Sequence, residues 1–518
     1  MAAVDLTAYD EVAYPSYVYP QTHPDRLATI ATLFGMNPPP VEACRVLELA
    51  CGAGGNLIPM AFDLSGSTFL GIDLAGKAIT EGQQTIDALG LKNISLQKID
   101  LMAVSGDLGE FDYIIAHGLF SWVPRVVRDQ ILALCRKHLA PEGVAYISYN
   151  TYPGCRLREI ARDIMRFHSK DAPAAAEKVG QGRAVIKWVV EAQQQTNSYA
   201  TFLKEVSARL MNRDDGSIYH DELAEVNDPL YFYQFAEYAN QHDLQFISEA
   251  DYFEESADHS LSGEAARQLD QLGQENILAR EQYLDFLKGR SFRQTLLCHR
   301  EVKLSRPINA ERLKSLLIKS QAKPVSSAPD IKSRSAEEFR AKTGAAATTD
   351  QPLAKAAFLH LSRIYPRAIS FDHLVTQARL LAGANETTVA EDSTTLAEVV
   401  LKTYEVGVVE LHLHEPAYIV EASTYPIASP IARLQIKSGN VVATLLHTSL
   451  RLEDPLARQL LGLLDGTRDR AALVQELAVI IESTAKDTSA KKEPAADDLT
   501  THLENKLVEL GRLGLLLA

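Results

Sequence analysis

Short apolar runs alternate with amphipathic stretches between Arg45 and Tyr149. The apolar runs have the length of buried strands, and the stretches between them repeat apolar residues at helical spacing, as in 75–89 and 125–138. The predicted strands are Val46–Leu49, Thr68–Ile72, Ile94–Gln97, Tyr113–Ala116 and Val144–Ser148. This alternation is typical of a doubly wound, mostly parallel α/β sheet, which binds ligands outside the carboxyl ends of its strands.

The pattern changes on both sides of this core. A tyrosine-rich segment precedes it, and we expect this segment either to cover the ligand site as a lid or to pack against the sheet edge. Helical periodicity follows the core, then a stretch rich in Ser, Ala, Lys and Thr, then helices that lead to an alternating, strand-like run at 408–414. The predicted domains are 1–44 (lid segment), 45–160 (α/β core), 161–305 (helical middle domain), 306–350 (linker), 351–425 (winged-helix-like domain) and 426–518 (α+β domain).

The composition argues against several classes of protein, namely nucleic-acid binders, structural zinc proteins, and secreted or membrane-inserted proteins. The net charge of −15 over 518 residues argues against a nucleic-acid binder, which usually carries a basic surface. The five cysteines are widely spaced and form no CxxC pair, which predicts reduced thiols in the cytoplasm and no structural zinc. No basic, apolar leader and no apolar run of about 20 residues is present, so we expect neither a signal peptide nor membrane insertion.

A glycine-rich turn follows the first predicted strand. Residues 45–55 read as an apolar strand that contains Glu48, then Ala-Cys-Gly-Ala-Gly-Gly, a turn that lets backbone N–H groups approach a ligand. Asp73 ends the second strand 21 residues after Gly52, where a carboxylate binds a ribose. A dinucleotide fingerprint needs a third small residue, and Leu57 stands there instead.

Glu48 distinguishes between a pyrophosphate-containing dinucleotide and S-adenosylmethionine as the cofactor. A carboxylate at this strand end would repel a pyrophosphate, whereas it attracts the ammonium and sulfonium groups of S-adenosylmethionine. S-adenosylmethionine is therefore the predicted cofactor; the alternative is a βα turn that binds no ligand. We expect Gly52 and Gly54 to contact the methionyl part, and Asp100 with Leu101 to bind the adenine, although each acid could also be a helix cap. The predicted cofactor-binding residues are Tyr14, Tyr17, His23, Glu48, Ala50, Cys51, Gly52, Gly54, Asp73, Leu74, Asp100, Leu101 and His117.

Two aromatic segments, 117–124 and 149–154, follow the fourth and fifth strands, where a methyl group would be delivered. Methyl transfer from a sulfonium is an in-line displacement, so the enzyme chiefly aligns the nucleophile and excludes water. An amine acceptor must also lose its proton, which aromatic walls favour by desolvation. His117 is either a proton acceptor or a strand-end cap, and Trp122 is either a site or a core residue. The candidate catalytic residues are His117, Trp122, Tyr149 and Tyr152, with Phe120 as a further wall residue.

The motifs at 20–24, 47–52, 117–124, 148–154 and 219–229 occur together in one family. The chain resembles bacterial class I S-adenosylmethionine-dependent methyltransferases that carry a methyltransferase regulatory domain, and it is similar to the rickettsial protein-lysine methyltransferases. The resemblance implies a Rossmann-like core, a helical regulatory domain, a C-terminal winged-helix-like region and a homodimer. It also implies a lysine-bearing protein substrate and S-adenosylhomocysteine as the product.

Two further interpretations remain open. A methyltransferase for small molecules would have a closed apolar pocket rather than an open groove. A cofactor-bound regulatory protein would act through its winged helix. A winged helix that reads DNA needs a basic recognition helix, and residues 371–383 offer little beyond Arg379. From the middle domain, His220 is a candidate contribution to the site.

Overall fold

The structure is a computed structural model that describes residues 12, 14, 17–104, 106–255, 261–383, 388–487 and 496–517. The predicted lid segment therefore lies partly outside the described residues, as does part of the charged stretch at 484–498. Among the described helices, none combines the length and the apolar character that crossing a membrane requires.

A seven-stranded sheet with the order β3-β2-β1-β4-β5-β7-β6 runs through the core. Strands β3, β2, β1, β4 and β5 pair in parallel, whereas β7 runs antiparallel to both β5 and β6. The sheet is formed by β1 (Arg45–Leu49), β2 (Thr68–Asp73), β3 (Ile94–Lys98), β4 (Phe111–Ala116), β5 (Leu139–Asn150), β6 (Leu244–Glu249) and β7 (Phe292–His299). The predicted doubly wound parallel core is confirmed.

Helices cover both faces of this sheet and build the rest of the chain. The α-helices of six or more residues are α1 (Pro24–Leu33), α2 (Leu57–Asp63), α3 (Gly76–Leu89), α4 (Arg125–His138), α5 (Cys155–Ser169), α6 (Ala175–Glu191), α7 (Ser198–Met211), α8 (Phe232–Gln241), α9 (Gly263–Glu275), α10 (Ile277–Lys288), α11 (Pro352–Ile364), α12 (Phe371–Ala382), α13 (Val389–Glu405), α14 (Pro430–Gln435), α15 (Pro455–Leu463), α16 (Arg470–Asp487) and α17 (Ala496–Arg512).

Successive residues of the central strands point to opposite faces, and both faces are buried. Val46 and Tyr113 belong to the hydrophobic cluster on one face, while their neighbours Leu47 and Ile114 belong to the cluster on the other. Because neither face meets water, these strands read as continuous apolar runs rather than as alternating ones. The same burial leaves the strand ends as the place where polar side chains can gather.

The middle region is mostly helical, as predicted for 161–305, and it also contains two strands. Its strands β6 and β7 complete the central sheet, and β7 pairs with β5 from Ala145 to Asn150. The run Thr-Leu-Leu-Cys-His at the end of β7 is short and apolar, so periodicity alone does not distinguish it from a buried helix segment. Hydrogen-bonded pairing with β5 makes this segment a strand.

Residues 306–350 are folded, although their composition predicts a linker. They contain β8 (Leu317–Lys319) and an antiparallel sheet of β9 (Lys323–Pro324), β10 (Glu337–Arg340) and β11 (Ala346–Thr349). Leu313, Ile318 and Phe339 are fully buried in the same cluster as one face of the central sheet. These few apolar side chains anchor a polar segment to the core. They are too few to change the overall composition of the segment, so composition alone predicts a linker.

Two small α+β units follow. In the first, α11, α12 and α13 accompany a sheet of β12 (Ile369–Ser370), β8 and β13 (Glu410–His412). The second, which we call the C-terminal unit (residues 419–516), packs α14 to α17 around a hairpin of β14 (Val441–Ala443) and β15 (Ser449–Arg451). Its leucine-rich core is separate from that of the central sheet.

Candidate active site

A cavity of about 1380 Å³ opens at the carboxyl ends of β1, β2, β4 and β5. One side is formed by the strand ends and the glycine-rich turn. Helices α5 and α7 of the middle region form the opposite side, and residues 17–19, which we call the N-terminal strap, contribute Tyr17 and Tyr19 to the lining. The predicted residues that line this cavity are Tyr14, Tyr17, Glu48, Ala50, Cys51, Gly52, Asp73, Leu74, Asp100, Leu101, His117 and Trp122.

Glu48 is buried at the end of β1 with only one of its oxygens satisfied. Asn56 Nδ2 donates to Glu48 Oε1 at 2.8 Å, whereas Oε2 has no hydrogen-bond partner among the described residues. Burial, with a smaller contribution from the charge of Asp73, raises the pKa of Glu48 to about 8. A buried carboxyl oxygen without a partner is costly, so this group is suited to a cation that enters the cavity.

The glycine-rich turn is tied to Asp73. Gly52 N–H donates to Asp73 Oδ2 at 2.8 Å, and Ala75 N–H donates to Asp73 Oδ1 at 2.7 Å. Ala50, at φ 59°, and Gly52, at φ 54°, both adopt the left-handed backbone region that the turn requires. A Cβ on Gly52 would meet no atom within 4 Å, which leaves the backbone open to the cavity.

Gly54 has a different role from the predicted one. It is not among the described residues that line the cavity, and its own Cβ would lie 2.9 Å from Leu96 Cδ1 and 3.2 Å from Ile58 Cδ1. Gly54 therefore permits α2 to pack closely on the sheet rather than permitting a ligand to approach. The sequence does not separate these two requirements, because both select glycine.

Asp100 and Leu101 follow β3 at the far end of the cavity. The Asp100 side chain accepts a hydrogen bond from Met102 N–H at 2.9 Å and caps the short 3₁₀ helix that starts at Leu101. Leu74, which is 50% exposed, directly follows Asp73 and also lines the cavity. Capping therefore engages Asp100 Oδ1 and orients its carboxylate.

His117 follows β4 and takes part in a directional hydrogen-bond chain. Gln294 Nε2 donates to Asp251 Oδ2 at 3.2 Å, so its Oε1 accepts from Tyr146 O–H at 2.8 Å. Because Tyr146 has one proton, its oxygen accepts from His117 Nδ1–H at 2.9 Å, which leaves Nε2 unprotonated in the neutral ring. Burial lowers the pKa of His117 to about 4, so the ring is neutral at pH 7.

Trp122 lines the cavity and packs against two arginines. The guanidinium carbons of Arg158 and Arg162 each lie 5.4 Å from its ring centroid. Arg158 in turn binds the buried Glu222 at 2.9 Å, and Glu222 also binds Arg213 at 2.7 Å. This paired set of charges forms a polar wall opposite the glycine-rich turn.

Two predicted aromatic wall residues lie in the core instead. Tyr149 is 1% exposed and stacks on Phe235 with ring centroids 4.0 Å apart, and Phe120 packs edge-on against the same ring at 5.4 Å. Strand alternation explains this outcome: Tyr149 points to the second face of the sheet, one position before Asn150, which does line the cavity.

Tyr152 also lies outside the cavity lining of the described residues. Its hydroxyl donates to Glu159 Oε1 at 2.7 Å, and Arg156 covers its ring at 3.8 Å. The side chain is thus engaged by α5, the helix that follows it in the chain, and by the ring of Tyr231, whose centroid lies 5.2 Å away. Of the four candidate catalytic residues, the structure brings His117 and Trp122 to the cavity.

The N-terminal segment contributes Tyr14, Tyr17 and Tyr19 to the cavity, but not His23. Tyr19 lies over His117 with ring centroids 3.9 Å apart. His23 instead caps α1, where its Nδ1 accepts from Asp25 N–H at 3.2 Å. His220 likewise does not line the cavity; its Nε2 lies 2.7 Å from the carbonyl oxygen of Val12.

Sequence reasoning missed Asn56, Tyr19 and Arg158. Asn56 holds Glu48, and its position directly after Gly54-Gly55, as the first polar residue of a helix, was an available signal. Tyr19 was one tyrosine among several in the N-terminal segment. Arg158 has no local signal, because only the fold brings α5 to the strand ends.

Three protein-family models match the chain. They are described as "Methyltransferase domain" (residues 46–143), "Predicted methyltransferase regulatory domain" (residues 214–299) and "PKMT, C-terminal winged helix domain" (residues 424–515). The first covers β1 to β4 and ends within β5. The last falls on the C-terminal unit rather than on 351–425, where the sequence interpretation placed a winged helix.

Relatives extend this similarity over most of the chain. The uncharacterized protein RP789 of Rickettsia prowazekii is 36% identical over 381 residues, which are 72% of this chain and 68% of that protein. The chain belongs to the S-adenosylmethionine-dependent methyltransferases with a regulatory domain. A second relative in that organism, the uncharacterized protein RP028, is 37% identical over 46% of this chain and 96% of its own length.

A solved structure matches this methyltransferase over nearly its full length. PKMT2 from Rickettsia typhi in complex with AdoHcy has a TM-score of 0.86 and 26% sequence identity, and the match covers 98% of this chain and 100% of that chain. The Rossmann-like core and the cofactor, S-adenosylmethionine, are thereby confirmed for this methyltransferase.

The cavity residues fit this cofactor. The unsatisfied Oε2 of Glu48 suits an ammonium group, and the open backbone at Gly52 suits close approach by a ligand chain. Neither feature serves packing within the protein. Glu48 Oε2 is a buried polar atom without a hydrogen-bond partner among the described residues, and the backbone of Gly52 faces open space. Both are therefore best explained by the cofactor.

Proposed function

We propose that this methyltransferase transfers methyl groups to lysine side chains of a protein substrate. The observation that carries the proposal is the full-length similarity to PKMT2, an abbreviation used for protein-lysine methyltransferases, together with the match to the PKMT winged-helix domain. A similarity that includes the middle region and the C-terminal unit goes beyond the methyltransferase core that many unrelated enzymes share.

The size of the cavity and the aromatic ring of Trp122 support a long, basic acceptor. Its volume of about 1380 Å³ exceeds the roughly 300–1,000 Å³ usual for a single small ligand, which leaves room for a second reactant. Beside the Trp122 ring, the cavity is lined by the carboxylates of Glu205, Asp221 and Glu222 and by three guanidinium groups, those of Arg158, Arg209 and Arg213. Asp221 and Glu222 are ion-paired with Arg158 and Arg213. Because these ion pairs neutralise each other, the feature that favours a lysine is the aromatic face, which binds an ammonium group by cation–π interaction.

The proposal assigns a role to each cofactor residue that lines the cavity. When bound, S-adenosylmethionine supplies an electrophilic methyl group on a sulfonium. Glu48 binds the ammonium group, Gly52 accommodates the methionyl chain, and Asp73 accepts hydrogen bonds from the ribose hydroxyls. Asp100 and Leu101 contact the adenine beside Leu74, and Tyr14 and Tyr17 close over this end of the cavity.

His117 orients the acceptor amine in this proposal. Its neutral Nε2 accepts a hydrogen bond from the amine, while the chain through Tyr146 keeps the proton on Nδ1. With a pKa of about 4, the ring is too weakly basic to retain the amine's proton, which passes to water. Trp122 excludes water from the other side of the amine.

Assembly as a homodimer and a cytoplasmic location are further parts of the proposal. The five cysteines are free and buried, as suits a protein from a reducing compartment. Light scattering of the purified protein should give twice the mass of one chain. A monomer mass at micromolar concentration would remove the dimer from this proposal.

Labelling with methyl-tritiated S-adenosylmethionine tests the acceptor class. The purified protein is incubated with a cell lysate, protein and small molecules are separated, and labelled protein is hydrolysed for amino-acid analysis. The Asp73→Ala variant serves as the matched control for label that other enzymes in the lysate transfer. We expect label that depends on Asp73 and elutes as N-methylated lysine.

Label that enters only the small-molecule fraction would support a small-molecule methyltransferase and overturn the lysine proposal. Label in protein that elutes at another amino acid would retain a protein substrate but change the acceptor. The two results separate the alternatives, because both require an active enzyme.

A further inference from the structure

The turn of the C-terminal hairpin reaches the cofactor end of the cavity. His447, between β14 and β15, is buried, and its Nε2 lies 3.1 Å from Asn56 Oδ1. Asn56 Nδ2 in turn donates to Glu48 Oε1 at 2.8 Å. A residue of the C-terminal unit is therefore two hydrogen bonds away from the carboxylate assigned to the cofactor ammonium.

The direction of these hydrogen bonds is determined by their partners. Tyr19 N–H can only donate, and it lies 3.0 Å from Asn56 Oδ1, so the amide oxygen faces it and the amide nitrogen faces Glu48. His447 must then donate from Nε2–H to the same oxygen. The imidazole thus holds the orientation of Asn56 together with Tyr19 N–H and with Thr22 Oγ1, which accepts from Asn56 Nδ2 at 3.0 Å. Asn56 in turn orients Glu48.

The hairpin turn holds His447 in an unusual conformation. Its φ of 51° is in the left-handed region, which is unfavourable for a residue with a Cβ. Hydrogen bonds within the turn hold it there: His447 N–H donates to Thr444 O at 3.1 Å, and the hydroxyls of Thr444 and Thr448 lie 2.7 Å apart. Such local strain persists where the surrounding structure determines the conformation.

The same hairpin also holds the N-terminal strap. Val18 N–H donates to Ser449 Oγ at 3.1 Å, and the Val18 side chain packs with Ile431 and Ala443 of the C-terminal unit. The neighbours of Val18, Tyr17 and Tyr19, both line the cavity. The strap is thus bound on one side by the C-terminal hairpin and on the other by Asn56.

We propose that the C-terminal unit completes the cofactor site: His447 is a positioning residue for Asn56 and Glu48, and Ser449 holds the N-terminal strap over the cavity. The proposal concerns cofactor binding and does not depend on the identity of the acceptor. It assigns to the winged-helix region a role within the active site rather than only in recognising a partner.

Calorimetric titration with S-adenosylhomocysteine tests the role of His447. His447→Ala should weaken binding at least about tenfold, whereas His447→Gln, which keeps an N–H donor, should recover most of the affinity. Arg451→Ala, on the exposed side of β15, is the matched control and should bind like the wild type. Circular dichroism and a melting curve confirm that each variant is folded at the titration temperature.

Two results would overturn this role. His447→Ala could bind S-adenosylhomocysteine within about twofold of the wild type. Alternatively, His447→Ala and His447→Gln could lose affinity equally, which would show that the hydrogen bond is not the cause.

Hydrogen exchange tests the strap independently, even if His447→Ala does not fold. Ser449→Ala removes one hydroxyl and should accelerate amide exchange of the peptide that contains Val18 and Tyr19, relative to Arg451→Ala. S-adenosylhomocysteine should protect this peptide in the wild type more than in Ser449→Ala. Equal exchange in the two variants would refute the anchoring of the strap by the C-terminal unit.

Discussion

The carboxylate of Asp73 and the backbone of Gly52 are joined by a 2.8 Å hydrogen bond that connects the ends of β2 and β1. A second bond of 2.7 Å, from Ala75 N–H, engages the other oxygen of Asp73. The carboxylate assigned to the ribose therefore also sets the shape of the glycine-rich turn. Cofactor binding and turn geometry depend on the same side chain.

Asp73→Ala should weaken S-adenosylhomocysteine binding at least about a hundredfold, because hydrogen bonds to a charged group contribute about 1.5–3 kcal/mol each. Titration calorimetry measures the affinity, and circular dichroism checks that the fold is retained. Asp87→Ala, on the exposed side of α3, is the control and should change neither. Unchanged affinity in Asp73→Ala would contradict the ribose assignment.

Binding of the cofactor should release a proton from Glu48. The pKa of Glu48 is raised to about 8 in the free protein, so the group is mostly protonated at pH 7. A cofactor ammonium favours the carboxylate, and affinity for S-adenosylhomocysteine should therefore rise by up to about tenfold per pH unit between pH 6 and pH 7.5.

Calorimetry in two buffers with different ionisation enthalpies counts the released proton. Glu48→Gln should bind more weakly and should abolish both the release and this pH dependence. An affinity of the wild-type protein that is constant between pH 6 and pH 7.5 would show that Glu48 does not meet the ammonium.

Gly52→Ala and Gly54→Ala should separate binding from packing. At Gly54 the new methyl group would overlap Leu96 and Ile58 at positive φ, so we expect a loss of about 2–4 kcal/mol in the free energy of unfolding. At Gly52 the methyl group meets open space, so only the backbone cost of about 1 kcal/mol applies, while cofactor affinity falls. Urea denaturation and calorimetry measure the two quantities. A larger stability loss in Gly52→Ala would reverse these assignments.

Trp122→Ala should reduce acceptor turnover more than cofactor affinity. The ring lines the cavity, and its polar contacts are with Arg158 and Arg162 rather than with the residues assigned to the cofactor. We expect kcat/KM for the acceptor to fall at least about tenfold, with a change in affinity for S-adenosylhomocysteine of less than about threefold.

The matched control for this experiment is Trp188, the chain's other tryptophan, which is 66% exposed on α6. Trp188→Ala should leave turnover and affinity unchanged. Equal losses of turnover and affinity in Trp122→Ala would assign its side chain to packing.

His414 should make stability depend on pH. Its Nε2 lies 3.0 Å from Asp63 Oδ2 and its Nδ1 lies 3.0 Å from Glu42 Oε1. Burial alone would lower the pKa of His414, but these carboxylates, with Asp25 nearby, outweigh it and raise the pKa to about 9. Because the folded-state pKa is raised, this stabilisation is complete below about pH 6.5 and is lost as the pH rises through 9.

His414→Gln should therefore lower the free energy of unfolding by up to about 3 kcal/mol at pH 6 and by much less at pH 10. Urea denaturation at both pH values measures the difference. His168→Gln, at an exposed position of α5, is the control. An equal effect of His414→Gln at both pH values would mean that the ion pairs with Asp63 and Glu42 do not stabilise the protein.

Much of the core could be predicted because it depends on local signals. Apolar runs of strand length and helical periodicity between them indicate the parallel sheet, and parallel strands bring their carboxyl ends to one edge. Glu48, Gly52, Asp73 and His117 all follow or end such strands, so their convergence required no knowledge of the packing. The linker prediction for 306–350 failed because a few buried residues such as Phe339 do not alter a polar composition.

The amino-acid sequence by itself determined the sheet, the turn and the acids at the strand ends, because each depends on residues close together in the chain. Only the tertiary structure decided that Gly54 serves packing and that Tyr149 faces the core, since the register of neighbouring elements sets both. It alone joined His447 to Asn56, which are 391 positions apart. No periodicity spans such a distance, and only packing of the C-terminal unit brings the two side chains within hydrogen-bond range.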